Sequence, residues 1–204
     1  MHISEGVLSG PVLISGGALA AAGTAIGLKK LDYDRIAKAG ILSAAFFVAS
    51  LIHVPIGPAN AHLILNGLVG LLLGWAAFPA ILVALVLQAV LFQFGGITGL
   101  GVNTIIMALP AVLCYLVCSP FLHKKPKLAL SAAFACGFFS VLLSALVLGL
   151  ALVFTEENFF EVSAIVIAGH IPVMIIEGLI TAMCVAFLRK VQPTMLPGYS
   201  KQQL

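Results

Sequence analysis

Charge is scarce in this chain. Of its 204 residues 8% are charged, 62% are hydrophobic, and the mean hydropathy is +1.20. Soluble globular domains carry about 25% charged residues, so a water-soluble fold of this size is excluded. The sequence has no Walker A motif, so it does not bind ATP by a P-loop. It has no HExxH pair and no GxSxG elbow, which removes two common routes to intramembrane hydrolysis. No chain of Asp and Glu crosses an apolar stretch, so proton coupling within the chain has no carrier. Nothing in the charge pattern has the footprint of a nucleic-acid binder. The four cysteines, Cys114, Cys118, Cys136 and Cys184, form no CxxC pair. Lying inside apolar runs, they read as small core residues.

Apolar sequence is what the chain has in quantity. It comes in runs of about 20 residues, the length of a membrane-crossing helix. Seven spans are expected, at about 7–28, 39–52, 62–77, 80–94, 102–122, 128–154 and 162–188. They leave short loops and one integral membrane domain over residues 1–204. The expected fold class is an all-α membrane bundle. All ten Lys and Arg fall in the 29–38 loop, the 123–127 loop and the tail after 188. The N-terminus and the segments 53–61, 95–101 and 155–161 carry none. Cytoplasmic loops collect Lys and Arg, so the N-terminus is expected outside and the C-terminus in the cytoplasm. Within the first span, Gly23 and Gly27 form a GxxxG pair, which suits either internal helix packing or docking of another membrane subunit.

The opening stretch, Met1-His2-Ile3-Ser4-Glu5-Gly6, holds the most specific chemistry. No charged n-region precedes it, so a cleaved signal peptide is not expected. Initiator methionine is trimmed when residue two is small, and His2 is not small, so Met1 is expected to keep its free amine. That amine, the His2 amide nitrogen and the His2 Nδ1 close two chelate rings on one ion. Three nitrogens then lie in a plane with a fourth position open. A deprotonated amide favours square-planar Ni²⁺ or Cu²⁺, or low-spin Co²⁺, whereas Mg²⁺ and Ca²⁺ prefer oxygen. A histidine at position two by chance is the plain alternative.

Several residues share the outer side with this terminus. His62 opens the third span and is the candidate fourth nitrogen, since ionisable groups at membrane depth are functional by default. His53 flanks the same turn and reads as interfacial before it reads as a ligand. Gly95 and Gly96 belong to a glycine-rich loop that can pack close to a bound ion. Asn103 and Glu5 can orient ligands from behind, or act as ordinary helix caps. His170 and Glu177, seven apart in the last span, share a face and read as structural polar contacts. His123 sits among lysines and reads as interfacial.

These residues carry a family resemblance. Met-His-Ile-x-Glu-Gly at the start, Pro-Ile-Gly-Pro-x-x-x-His-Leu ending at Leu63, and Phe-Gly-Gly-Ile-Thr-x-Leu-Gly-Val-Asn-Thr from Phe94 resemble the cobalt- and nickel-specific membrane subunits of energy-coupling factor (ECF) transporters, the CbiM/NikM family. The resemblance covers nearly the whole chain. It implies a seven-span bundle and a planar nitrogen site built from Met1, His2 and His62, with Co²⁺ or Ni²⁺ as transported substrate and no cofactor bound by this chain. It also implies partners in a prokaryotic cell membrane: a transmembrane coupling subunit, a pair of cytoplasmic ATPases that use ATP, and in some systems a small accessory membrane protein. Many relatives carry a histidine just before Gly-Gly in the outer loop. Here that stretch is Phe92-Gln93-Phe94, which leaves Gln93 as a polar contact. The chain is expected to capture and translocate a metal, not to be an enzyme. The alternatives are an S component for an organic vitamin, an intramembrane enzyme and a passive channel.

Overall fold

A computed structural model describes residues 2–56, 59–156 and 160–198. It contains eight α-helices: α1 (Gly10–Lys29), α2 (Ile36–Ala49), α3 (Asn66–Leu73), α4 (Ala77–Phe92), α5 (Leu100–Cys118), α6 (Pro126–Val153), α7 (Phe160–Gly169) and α8 (Ile171–Val191). Proline opens several of them: Pro11 sits in the first turn of α1, Pro126 starts α6 and Pro172 lies in the first turn of α8. Its fixed φ suits a helix start, where the missing N–H has no intrahelical partner anyway. Pro110 lies inside α5, a position that lipid-embedded helices tolerate when neighbours satisfy the freed carbonyl.

Five helical stretches are long and apolar enough to cross a membrane, and one of these, Asn66–Phe92, takes in both α3 and α4. That stretch is not one straight rod. Gly74 has φ 60° and ψ −129°, a conformation for a glycine, and a short 3₁₀ turn over Gly74–Ala76 joins the two helices. Arg35 and Lys38 donate hydrogen bonds to the carbonyls of Leu72 and Leu73. These cations cap the carbonyl end of α3, where the helix dipole is negative. At the other end Gln88 of α4 reaches back to His2. The chain therefore goes down α3, turns and returns along α4. The last expected span is broken as well. The break lies at Gly169-His170, and α7 and α8 both run back along α6. The chain thus traverses the bundle seven times.

The two ends of the bundle differ in kind. At one end, Lys38 also donates to the Met195 carbonyl, Arg189 donates to the carbonyls of Leu122 and Lys124, and His123 donates to that of Pro197. All the described Lys and Arg gather there. At the opposite end lie the N-terminal segment, a β-hairpin and the 93–99 loop. The hairpin pairs β1 (His53–Ile56) with β2 (Ala59–His62). It occupies the turn expected between the second and third spans, and α3 accordingly begins at Asn66 instead of position 62.

The core is centred on α3. All eight of its residues are buried, and at about 12 Å long it is less than half a bilayer core. Gly67 and Gly70 allow this depth. A Cβ on Gly67 would sit 2.4 Å from the Ser140 Oγ, and one on Gly70 would sit 2.4 Å from the Ala111 carbonyl oxygen. Asn66 donates to the Met107 carbonyl and the Ser144 Oγ, and accepts from the Ser140 Oγ. Small residues and hydrogen bonds of this kind hold helices together in lipid, where apolar packing gains nothing from excluding water. The outer surface is correspondingly apolar: Ile14, Ile41 and Met183 are 76%, 69% and 70% exposed. Cys114, Cys118 and Cys136 are buried and form no disulfide. The glycine contacts give a direct test. Gly70→Ala pushes a methyl group into the backbone of α5, and unfolding of the purified protein should show a loss of about 1–3 kcal/mol.

Candidate metal centre

Three non-helical segments meet at the end of the bundle opposite the Lys and Arg side chains. The first is the chain from His2 to Ser9. Ile3 donates its N–H to Asn103 Oδ1 at 3.0 Å and accepts from Asn103 Nδ2 at 3.1 Å. The side-chain amide of α5 thus pairs with one residue of the N-terminal segment as a neighbouring strand would. Asn103 is not the cap of its helix, since α5 begins after Gly99. Further on, Ser9 donates its N–H to Thr155 Oγ1 at 3.3 Å.

The second segment is the loop after α4. Gln93, Gly95 and Gly96 all have positive φ, at 59°, 76° and 70°. A Cβ on Gly95 would stand 2.6 Å from Asn103 Nδ2 and 3.4 Å from His2 Cδ2. A Cβ on Gly96 would stand 2.6 Å from the Glu5 Cβ. Both glycines are needed for the N-terminal segment to lie against this loop. Glu5 Oε1 accepts from the Thr98 N–H at 3.4 Å, so Glu5 clips the segment to the loop. The third segment is Leu63–Leu65, between β2 and α3.

Both imidazoles are held at this meeting point. The ring centres of His2 and His62 lie 5.1 Å apart, with the planes tilted by 35°, and Phe94 stands 5.8 Å from His2 on another side. The proton on each ring follows from its neighbours. Ser50 donates its single hydroxyl hydrogen to the Phe47 carbonyl at 2.7 Å. Ser50 Oγ must therefore accept from Gln88 Nε2, 2.9 Å away, which turns Gln88 Oε1 toward His2. His2 Nε2 lies 2.8 Å from that oxygen and so carries the proton, leaving the lone pair on Nδ1. His62 Nδ1 donates to the Leu63 carbonyl at 2.8 Å, which puts its lone pair on Nε2. A hydrogen-bonded partner on the second ring nitrogen is the usual support of a metal-ligating histidine.

Of the candidates read from sequence, His2, His62, Glu5, Gly95, Gly96 and Asn103 come together here. Met1 lies outside the described residues. His53 faces His62 across the hairpin in backbone register, and its side chain lies outside the described set. His170 and Glu177 do not pair with each other: His170 donates to the Val166 carbonyl, and Glu177 accepts from Ile64 and Leu65. Gln88 and Ser50 are additions. A lone glutamine in the apolar run Ala80–Phe92 was the available signal, because an unexplained polar residue at membrane depth marks a function. Among the described residues no three His, Cys, Asp or Glu side chains form a group able to hold a metal ion. A site with two main-chain nitrogens needs only two imidazoles.

The architecture and this end of it define a class: an integral membrane helical bundle with a cluster of polar side chains built around its own N-terminal segment. The chain belongs to the family described as the cobalt uptake substrate-specific transmembrane region, CbiM, whose family model matches residues 2–195. A Haemophilus influenzae protein named for metal transport is 39% identical over 96% of this chain and 97% of its own length. The cobalt transport protein CbiM of Clostridium tetani is 29% identical over 93% of this chain and 85% of its own. The crystal structure of a transition metal transporter superposes with a TM-score of 0.79 at 27% identity, covering 94% of this chain and 93% of that one.

Two outcomes follow from the Gln88 relay and the buried ring. Gln88→Leu strands the His2 Nε2–H and should cost roughly 1–3 kcal/mol in unfolding of the metal-free protein. Burial holds the His2 imidazole down at about 4, against an ordinary 6.5. The unfolded chain therefore binds a proton that the folded chain refuses, and stability falls as pH drops from about 6.5 toward 4. Unfolding midpoints measured across that window should lose part of their pH slope in His2→Gln.

Proposed function

We propose that this chain is the substrate-binding (S) subunit of an ECF-type ATP-driven importer of Co²⁺ or Ni²⁺. In this reading the Met1 amine, the His2 amide nitrogen, the His2 Nδ1 and the His62 Nε2 supply a square plane of four nitrogens. The observation that carries it is the His2–His62 pair. With metal–nitrogen bonds of about 2.0–2.1 Å, two imidazoles at a right angle on one ion bring their ring centres to about 4.5 Å. Opposed across the ion, they would stand about 6.3 Å apart by the same bond length. The observed 5.1 Å lies nearer the first value, which supports a plane with His62 beside the His2 ring and opposite the amide. The lone-pair assignments point the same way, as does the hydrogen-bonded support of both rings.

Asn103, Glu5, Gly95 and Gly96 hold the N-terminal segment so that its nitrogens arrive preformed. The amide and amine give up protons on binding, so capture weakens at low pH. The His2 ring, already neutral through the physiological range, adds no step of its own there. Four nitrogens exclude Mg²⁺ and Ca²⁺. Among transition metals a nitrogen site ranks Cu²⁺ above Ni²⁺ and Ni²⁺ above Co²⁺, so cargo choice draws on availability as well as affinity. The clustering of Lys and Arg at the opposite end supports a metal site facing outside and a cytoplasmic basic end, in the cell membrane of a prokaryote. The chain has no ATP motif of its own, so the reading requires a coupling membrane subunit and a pair of ATPases. A small accessory membrane protein completes the set in some systems.

One variant tests the site. Inserting Leu-Pro between Met1 and His2 keeps every side chain, retains the methionine because leucine is not small, and breaks the fused chelate rings, since the proline nitrogen has no hydrogen to give up to a metal. The purified wild-type chain should bind about one Ni²⁺ or Co²⁺, and the extended chain should lose that binding. Equal binding by both proteins would remove the N-terminal chelate from the proposal.

A further inference from the structure

Among the described residues Glu177 is the one acidic residue inside the helical core, and the metal site as described does not use it. It lies in α8 and is fully buried. Its Oε1 accepts the Ile64 N–H at 2.5 Å and the Leu65 N–H at 2.9 Å, and its Oε2 accepts the Leu65 N–H at 3.0 Å. These two peptides are the link between His62 and α3. Leu65 adopts φ 58°, the left-handed region that a branched side chain rarely enters. Such a conformation persists only where its surroundings impose it. Here they do so from both flanks. The Leu63 N–H is taken by the Ile52 carbonyl at 3.1 Å, and Asn66 is tied into α5 and α6. Glu177 fixes the two residues in between.

His62 depends on this link. Its ring is oriented by the Leu63 carbonyl, and that carbonyl belongs to the peptide whose nitrogen is Ile64 N. A shift of the Ile64 N–H therefore turns the acceptor that aims the imidazole. Glu177 is itself held firmly. Gly137 of α6 has no Cβ where one would lie 2.5 Å from the Glu177 carbonyl oxygen, so α8 packs close against α6 at this point. A neutral acceptor would satisfy the same N–H groups. A buried carboxylate is far costlier, and it adds a negative charge at the positive end of α3 on the approach to a cation site.

We infer that Glu177 is a positioning residue for metal capture, acting through the Ile64–Leu65 peptides to hold the His62 imidazole in the metal plane. This inference rests on the reading of His62 as a ligand. The test is Ni²⁺ affinity of the purified full-length chain in nanodiscs, for wild type, His62→Ala, Glu177→Gln, Glu177→Leu and the His62→Ala/Glu177→Leu double variant, with unfolding of the metal-free proteins measured in parallel. Glu177→Leu should weaken Ni²⁺ binding about 10–100-fold, the usual effect of removing support behind a metal ligand. Glu177→Gln keeps one acceptor oxygen and should fall between Leu and wild type. In the His62→Ala background Glu177→Leu should cost no further affinity, because the group it positions is gone.

A purely structural Glu177 would lower stability and leave the affinity of the folded protein unchanged, and that result overturns the inference. Equal losses in both backgrounds overturn it too. If the leucine variant does not fold, Glu177→Gln decides: wild-type affinity in that protein also overturns it. Failure of the site reading looks different, because then wild type binds no Ni²⁺ or His62→Ala binds it as well as wild type.

Discussion

The structure depends on one constraint: backbone polar groups that leave regular structure near a bilayer must find partners inside the protein. At the end of the bundle away from the Lys and Arg side chains, the chain leaves regular structure over residues 2–9, 63–65 and 93–99, among other stretches. Each departure is met by a side chain placed for it. Asn103 pairs with both polar groups of Ile3. Glu177 takes the N–H groups of Ile64 and Leu65. Glu5 takes that of Thr98. Each of these partners sits on an element other than the segment it serves, so each hydrogen bond also fixes where one segment lies against another. The need to satisfy the backbone and the need to assemble a pocket are met by the same contacts.

The half-length helix α3 follows from the same constraint. A full-length helix over residues 53–77 would carry no loose backbone, but it would place His62 in mid-helix with its ring locked by neighbouring turns. Ending the helix at Asn66 frees His62 to sit at the base of a hairpin. The cost is a set of unpaired N–H groups at the buried start of α3 and of carbonyls at its end. Glu177 relieves the first, and Arg35 and Lys38 relieve the second. The glycines at 67 and 70 let this short helix sink until its backbone touches α5 and α6.

Much of this was legible in the residues, and what was not has a physical reason. Apolar run length and the one-sided Lys and Arg pattern show a helical bundle with two unlike ends. The motif residues around His2, His62, Gly95 and Asn103 point to one cluster, and the structure brings them together. The boundaries of α3 were hidden because the run Leu63–Ala77 is apolar apart from Asn66, and hydropathy does not distinguish a buried half-helix from a membrane span. The hairpin was hidden by two prolines, which read as a turn. The break at Gly169-His170 is masked in the same way by apolar neighbours. Gln88 escaped because one polar residue barely moves a hydropathy average. Its meaning appears only when Ser50, 38 residues away in sequence, fixes which way its amide points.

The relay through Gln88 also explains why the pocket is built around so few ionisable groups. An imidazole can present either nitrogen, and only Nδ1 closes a six-membered ring with its own backbone amide. A carboxylate in place of Gln88 would hold the same proton on Nε2, but it would set a negative charge in an apolar wall and pull a second proton onto the ring by stabilising imidazolium. Both nitrogens would then be donors and the lone pair would be lost. A neutral amide, oriented by a serine hydroxyl whose own hydrogen is committed to Phe47, holds the tautomer without favouring the charged ring. The side chain that meets His2 Nε2 is neutral for that reason, and the Glu177 carboxyl is kept behind the peptides of the other histidine.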